Sequence, residues 1–333
     1  MTPILEWGNN LIVLIQSMGE WLKIPMATLS FLGTEQFFLI VAPVIYWCID
    51  ATLGLRLGIF LMTATGLNAI FKVLCHAPRP YWVDTRVKAY SSETTFGAPS
   101  GHSMISTVIW GTLAVSLRNK IMWAISIILI FLIGFSRLYL GVHFPSDVLL
   151  GWLLGALLLW IFIKVEKPII AWLKGKSPLQ KISLAFAFSL SILCVYWLAH
   201  LSLGGWQIPE IWIQNAALAT DVVEPINPLD PSGAVTACGA LFGFALGYIL
   251  LELQGGFETE GNLWNKIARF FIGLLGILLF WECLGFLLPD GTDPFSLSLR
   301  YLRYTLVGAW ISGGAPWIFL RCGLSKKPIR NSI

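Results

Sequence analysis

Long apolar runs alternate with short polar segments along most of the chain. Nine runs approach the roughly 20 residues that a helix needs to cross a bilayer, and they cover residues 26–48, 52–75, 100–117, 120–140, 146–164, 182–203, 233–252, 266–288 and 301–322. Only helices and closed barrels satisfy their backbone in lipid, and runs of this length are typical of helices. The pattern predicts an all-α polytopic membrane protein, a helical bundle of about nine transmembrane helices.

The N-terminal segment has a different pattern. Ile4, Trp7, Leu11 and Met18 recur at helical spacing with polar residues between them. This periodicity predicts an amphipathic helix within residues 1–24, lying flat on a membrane face. A partly buried first helix is the alternative.

Composition agrees with a membrane protein and argues against a nucleic-acid partner. Charged residues make up 12% of the chain, whereas soluble domains carry about 25%. The net charge of +4 is small, and the basic residues lie in short loops between apolar runs. The six cysteines show no metal-ligand spacing, so we interpret them as ordinary buried residues.

The loop charges predict an orientation. Lys and Arg are frequent in alternate loops, at 118–120, 164–181 and 321–330, whereas the 204–232 loop contains acids but no Lys or Arg. Basic loops stay in the cytoplasm, so the 76–99 and 141–145 segments are predicted to be extracytoplasmic. We expect an integral, multi-pass protein of the plasma or inner membrane.

Composition shifts also suggest a division of the chain. We predict a catalytic helical core at 25–165, a basic cytoplasmic linker at 166–181, and additional transmembrane helices of uncertain role at 182–333.

Three cations lie near the predicted span ends. Lys72 is followed after six residues by Arg79, and Arg137 is near the end of another span. Cations at this depth are costly unless they are paired or functional, and a phosphate dianion needs several such donors. Snorkelling to lipid headgroups is the alternative for each cation taken singly.

Pro99-Ser100-Gly101-His102 opens a predicted span. A helix N-terminus presents free N–H groups to an anion, and Gly101 permits close approach of the backbone. Ser100 is suited either to capping the helix or to donating to a phosphate oxygen. A lone histidine at His102 would more often be structural, but its neighbours favour a role in chemistry.

His143 and Asp147 are four residues apart, on a turn and in the first turn of the next predicted helix. The carboxylate can reach back to one ring nitrogen and leave the other free to attack, which is the arrangement of an activated nucleophile. The spacing alone is a weak signal. Together with the cations and a second histidine to protonate the leaving oxygen, it suffices for phosphoryl transfer without a metal or another cofactor.

Four more charged residues lie in the 81–98 loop: Asp84, Arg86, Lys88 and Glu93. Shaping of substrate entry and a solvated loop surface are equally compatible with their positions.

The three clusters have the form Lys-x6-Arg-Pro, Pro-Ser-Gly-His and Ser-Arg-x5-His-x3-Asp, in that order. Over about residues 26–165 the chain resembles the type-2 phosphatidic acid phosphatase superfamily, which includes lipid phosphate phosphatases, undecaprenyl pyrophosphate phosphatases, glucose-6-phosphatases and soluble vanadium haloperoxidases. The resemblance implies that His143 forms a phosphohistidine oriented by Asp147, and that His102 serves as acid for the leaving group and then as base for water. It also implies a set of phosphate-binding residues, namely Lys72, Arg79, Ser100, Gly101 and Arg137.

The expected substrate is a lipid phosphomonoester or pyrophosphate whose tail stays among the membrane lipids. The span count and Arg79-Pro80-Tyr81-Trp82 resemble glucose-6-phosphatase and sphingosine-phosphate phosphatase architectures, while Asp147 favours the lipid branch because glucose-6-phosphatases lack an acid there. A lipid phosphotransferase would use the same intermediate. A membrane transporter of phosphorylated compounds should instead carry its charges at the midplane, on broken helices.

Overall fold

The computed structural model describes residues 2–219 and 225–328, so part of the 204–232 loop and the last five residues lie outside the described chain. Within these ranges all regular secondary structure is helical. The helices are α1 Pro3–Gln16, α2 Lys23–Phe31, α3 Glu35–Cys48, α4 Ala51–Cys75, α5 Pro80–Val83, α6 Gly101–Leu117, α7 Lys120–Tyr139, α8 Pro145–Lys174, α9 Pro178–Ser202, α10 Glu210–Ala219, α11 Ser232–Leu253, α12 Leu263–Leu278, α13 Leu284–Leu287, α14 Pro294–Ala309 and α15 Ala315–Arg321. Two π-helical turns, Leu279–Cys283 and Trp310–Gly314, join α12 to α13 and α14 to α15.

Each predicted span except 26–48 coincides with a helix or a continuous helical run. Among the described residues, six helices are long and apolar enough to cross a membrane, or seven if the bent pair Glu20–Phe31 and Glu35–Cys48 counts as one span. The predicted spans 100–117 and 301–322 are helical but fall outside this set. The first forms a helix of only 17 residues, and the second belongs to a run that contains Arg300 and Arg303.

Helix ends differ from the prediction in two places. The 26–48 run is broken at residues 32–34, and the two helices on either side are bent by 46°. The predicted linker is mostly helical, because α8 continues to Lys174 and α9 begins at Pro178. Charged residues such as Lys167 are compatible with a helix that extends beyond the apolar layer into water.

The chain folds into two compact units that interleave in sequence. Unit 1 comprises Met1–Phe38, Leu67–Ile163 and Val195–Asp230, and unit 2 comprises Leu39–Gly66, Lys164–Cys194 and Pro231–Ile333.

Unit 1 has an aromatic core that joins α1 to the loops between the long helices. Trp82, Phe96, Tyr139 and Phe144 are buried in this cluster together with Ile12 of α1. Burying side chains of this size removes much apolar surface from water, so the cluster fixes the 84–98 loop and the turn before α8.

One face of α1 is attached to these loops through Gln16. Its Nε2 donates to the carbonyls of Lys88 and Tyr139 at 2.7 and 2.9 Å, and its Oε1 accepts from the Lys88 amide at 3.1 Å. The opposite face leaves Ile4, Trp7 and Leu14 at least 60% exposed. Of the apolar positions in the sequence pattern, Ile4, Trp7 and Met18 therefore point away from the protein, whereas Leu11 packs against the aromatic core.

Unit 2 is held together by close helix packing. Gly239, Gly243 and Gly247 repeat every four residues on α11, and a Cβ at Gly243 would lie 2.0 Å from the Thr305 carbonyl oxygen of α14. Small residues at this spacing let two helix backbones approach closely. Arg269 is fully buried in the same unit and donates to four backbone carbonyls, namely those of Trp47, Thr259, Glu260 and Leu324.

Candidate active site

The predicted site residues all lie in unit 1, at the ends of four helices and the loops between them. Lys72 is in the last turn of α4, and Arg137 is in the last turn of α7. Ser100 caps α6, and Asp147 is in the first turn of α8. The 76–100 segment connects α4 to α6, and the 140–144 turn connects α7 to α8.

Arg79 is completely buried and is bonded mainly to backbone carbonyls. Its Nε donates to Thr95 O at 2.6 Å, Nη1 donates to Val142 O at 2.9 Å, and Nη2 donates to Phe96 O at 3.1 Å. The planar guanidinium thereby connects the 84–98 loop to the turn that carries His143. Arg79 thus fixes the geometry of the site, in addition to supplying positive charge.

Arg137 is buried to 2% exposure, and its hydrogen bonds go to side chains. Nη1 donates to Ser30 Oγ at 2.5 Å, and Nη2 donates to the carboxylate of Glu93. Nε has no hydrogen-bond partner among the described residues. Lys72 supplies a third cation, whose Nζ donates to Thr95 Oγ1 at 2.7 Å.

The start of α6 is tied to the start of α8. The Ser100 amide donates to the Asp147 carbonyl at 3.0 Å, and Ser100 Oγ accepts from the Ser103 amide at 3.4 Å. Ser100 therefore acts as the helix cap, one of the two roles open to it from the sequence. Gly101 and His102 follow in the first turn and are both partly exposed.

His143 and Asp147 lie close together but do not form a hydrogen bond with each other. Nδ1 of His143 lies 3.5 Å from Asp147 Oδ2 and has no hydrogen-bond partner among the described residues. Oδ2 instead accepts from the Phe144 amide at 2.9 Å. Catalytic hydrogen bonds are often long in a free enzyme and shorten when substrate binds, so the geometry is compatible with the predicted pairing.

The other ring nitrogen of His143 faces the cations. Nε2 lies 3.3 Å from Arg79 Nη1, and His143 is only 1% exposed. Burial, with Arg79, Arg137 and Lys72 nearby, lowers the pKa of His143 well below its usual value. The imidazole is therefore neutral near pH 7, and the lone pair of Nε2 faces Arg79 Nη1.

Of the four charged loop residues, three form ion pairs outside the site and one enters the site. Arg86 pairs with Asp84 at 2.7 Å, and Lys88 pairs with Glu20 at 3.1 Å. Glu93 instead bonds Arg137 and lies 3.5 Å from Arg79 Nη2. Burial alone would raise the pKa of Glu93, but the charges of Arg79 and Arg137 hold it well below its usual range.

Sequence reasoning missed Thr95 and Ser30 and left the role of Glu93 open. Thr95 is bonded by both Lys72 and Arg79, and Ser30 is bonded by Arg137. Both are ordinary polar residues without a motif, so the sequence carried no signal for them. Glu93 was visible as a charge, but its direction depends on the loop fold.

The assembled site is a cluster of cationic donors beside a neutral, buried imidazole. Guanidinium and ammonium groups attract anions, and their fixed positions suit a tetrahedral oxyanion such as phosphate. A second imidazole, His102, is partly exposed at the start of α6. The arrangement can bind a phosphoryl group and provide both a nucleophile and a proton donor.

Comparison with known proteins agrees with this chemistry. Residues 53–170 match the PAP2 superfamily, and residues 235–327 match the family described as PAP2 superfamily phosphatase, transmembrane extension. The first match contains all the predicted site residues, and the second contains most of α11 and all of α12 to α15.

Two curated relatives illustrate the range of similarity. Undecaprenyl-diphosphatase of Sulfolobus acidocaldarius is 31% identical over 163 residues, covering 47% of this chain and 70% of the relative. Glucose-6-phosphatase 3 of Mus musculus is 27% identical over 320 residues, covering 87% of both chains. Among solved structures, the PAP2-type phosphatidylglycerolphosphate phosphatase of Bacillus subtilis matches at 26% identity and a TM-score of 0.42, covering 50% of this chain and 89% of that one.

The resemblance seen in the three motifs is confirmed by the match of residues 53–170 to the PAP2 superfamily and by the similarity to undecaprenyl-diphosphatase. The two family regions lie in a chain with several helices apolar enough to cross a membrane. The chain belongs to the PAP2 superfamily of membrane phosphatases.

Proposed function

We propose that this protein is a metal-independent membrane phosphatase that hydrolyses a lipid phosphomonoester or pyrophosphate through a phosphohistidine. The observation that carries the proposal is the buried, neutral His143 with its Nε2 directed towards the guanidinium of Arg79. Such a nitrogen is poised to attack a phosphorus atom held by the same cations.

In the first step, His143 Nε2 attacks phosphorus, and the bond between phosphorus and the leaving oxygen breaks. Lys72, Arg79 and Arg137 stabilise the charge on the equatorial oxygens, helped by Ser100 and the N–H groups at Gly101. His102 gives its proton to the leaving oxygen, and Asp147 stabilises the charge that develops on His143.

In the second step, His102 takes a proton from water as the water oxygen attacks phosphorus. The phosphorus–nitrogen bond breaks, and His143 becomes neutral again while orthophosphate leaves. His102 donates a proton in the first step and regains one from water in the second step. The proposed cycle therefore needs no metal or redox cofactor.

The proposal extends to membrane placement. Basic loops in the cytoplasm would put the ends of α4 and α7, and hence the site, on the extracytoplasmic face. With α6 and the α14–α15 run counted as spans, about nine helices would cross the bilayer. The exposed face of α1, with Ile4, Trp7 and Leu14, would lie on the membrane surface. Residues 25–165 would act as the catalytic core, joined at 166–181 to the helices of 182–333.

The substrate proposal rests on Asp147 and on what the relatives act on. The name of one relative specifies a diphosphatase acting on undecaprenyl diphosphate, which is a lipid substrate. A second candidate is a phosphate ester of a soluble sugar, favoured by the match to glucose-6-phosphatase 3 over 87% of both chains. Transfer of the phosphoryl group to a second lipid would use the same intermediate, whereas charges at helix ends argue against a transporter.

The proposal is tested by phosphate release from a panel of substrates in EDTA. The panel comprises phosphatidic acid, phosphatidylglycerol phosphate, sphingosine phosphate, undecaprenyl pyrophosphate and glucose 6-phosphate. We expect turnover of at least one lipid, undiminished by the chelator. Release from glucose 6-phosphate alone would favour the second candidate, and activity restored only by a divalent cation would contradict the mechanism.

The lowered pKa of His143 predicts an unusual pH profile. The nucleophile is lost only when pH falls through the lowered pKa, so the acid limb of kcat/KM should lie below the ordinary value of 6.5. The ionisation of the substrate itself, near pH 6 for a phosphomonoester, is measured separately and divided out. Lys72→Met removes one of the cations that lower this pKa and should move the limb to higher pH. An enzyme limb at or above 6.5 would contradict the electrostatic account.

A further inference from the structure

Glu93 occupies a position that an anionic substrate would need. Its two carboxylate oxygens contact Arg137 Nη2 and approach Arg79 Nη2 at 3.5 Å. These are donors that the proposed mechanism assigns to phosphate. A carboxylate and a phosphate carry similar oxygen acceptors, so the two anions compete for the same guanidinium groups.

The backbone around Glu93 is anchored while the carboxylate has access to solvent. The Tyr81 hydroxyl donates to Glu93 O at 2.8 Å and accepts from the Glu93 amide at 3.2 Å. Tyr81 is 1% exposed, whereas the side chain of Glu93 is 24% exposed. Rotation of the side chain can therefore move the carboxylate out of the site without unfolding the loop.

Charge makes simultaneous occupancy unfavourable. Lys72, Arg79 and Arg137 carry three positive charges, and Glu93 neutralises one of them in the free site. A dianion entering beside an ionised carboxylate meets repulsion that is strong in a poorly solvated site.

We propose that Glu93 is an internal competitor of phosphate. It occupies the cationic site when no substrate is bound, moves out when a phosphoryl group binds, and returns to promote release of orthophosphate. The inference rests on the proposed function, because it presumes that the site binds phosphate. Glu93 is thereby a residue that sets the affinity of the site for its product.

The test is direct binding of orthophosphate to the purified full chain, together with its inhibition of turnover. In Glu93→Gln, which keeps the size of the side chain but removes its charge, we expect orthophosphate to bind and inhibit about tenfold more tightly or better. Glu93→Asp keeps the charge and should remain close to the unmodified protein. Glu20→Gln removes an exposed carboxylate paired with Lys88 and serves as the matched control, with no expected change.

The possible outcomes distinguish failure of the proposed role of Glu93 from failure of the proposed function. Unchanged or weaker orthophosphate binding by a folded Glu93→Gln variant would overturn the role of Glu93 and leave the phosphate site standing. If Glu93→Gln does not fold, orthophosphate binding by Glu93→Ala decides in the same direction. Absence of orthophosphate binding in the unmodified protein and in every variant would overturn both the inference and the proposed function.

Discussion

Replacing His143 by alanine is expected to abolish phosphate release while the protein still folds. The side chain is buried and would supply the attacking nitrogen, and removal of a nucleophile from an enzyme that forms a covalent intermediate lowers turnover by about 10⁴-fold or more. Turnover of the preferred lipid by purified protein in detergent measures the effect, with gel filtration to establish that the variant is folded.

His200→Ala is the matched control for this loss. His200 lies near the end of α9 in unit 1, where its ring contacts Tyr196 and Trp197, and it is not among the proposed site residues. The control should keep its activity. Substantial turnover by a folded His143→Ala variant would contradict the assignment of His143 as the nucleophile.

Replacing each of the two buried arginines by lysine is expected to lower activity in both cases but to lower thermal stability by different amounts. Arg79→Lys leaves the carbonyls of Thr95, Phe96 and Val142 without their fork of donors, and each unpaired buried acceptor costs about 1–3 kcal/mol. We expect this variant to lose activity and to have a midpoint of thermal inactivation lower by about 5 °C or more.

Arg137→Lys should lose activity with a smaller change in thermal stability. Its hydrogen bonds go to the side chains of Ser30 and Glu93, and the removed donors mainly serve the bound phosphate, so turnover should fall by about 10²- to 10³-fold. Arg86→Lys is the control, because Arg86 is an exposed partner of Asp84. Equal destabilisation by Arg79→Lys and Arg137→Lys would contradict the distinction between them.

Much of the proposed site could be predicted because it consists of charged residues and histidines, which are rare in membrane spans. Lys72, Arg137 and His143 stand out in an apolar chain, and charged residues at such depth are usually functional. The sequence could not assign Arg79 to backbone carbonyls, since those bonds depend on how the 84–98 loop and the 140–144 turn meet. Similarly, the direction of the Glu93 side chain depends on the contacts of Glu93 with Tyr81, a residue that lies twelve positions away in sequence.

The fold was predictable in type and less so in detail. Apolar runs long enough to cross a bilayer predicted the helices, because only helices and closed barrels satisfy the hydrogen-bonding groups of the backbone in lipid. The break at residues 32–34 and the extension of α8 to Lys174 were missed, since hydropathy describes the apolar layer and says little about where a helix bends or how far it continues into water. The arrangement of helices within unit 2 depends on close packing such as that of Gly243 against Thr305, which the apolar pattern does not encode.

Trapping the covalent intermediate tests the central claim most directly. Purified protein is mixed with substrate labelled in the phosphoryl group, quenched in base, where phosphohistidine survives, and digested for identification of the labelled peptide. The account predicts phosphate on His143 of the unmodified protein and none on the His143→Ala variant. Label on any other residue, or hydrolysis with inverted configuration at phosphorus and no labelled peptide, would contradict it.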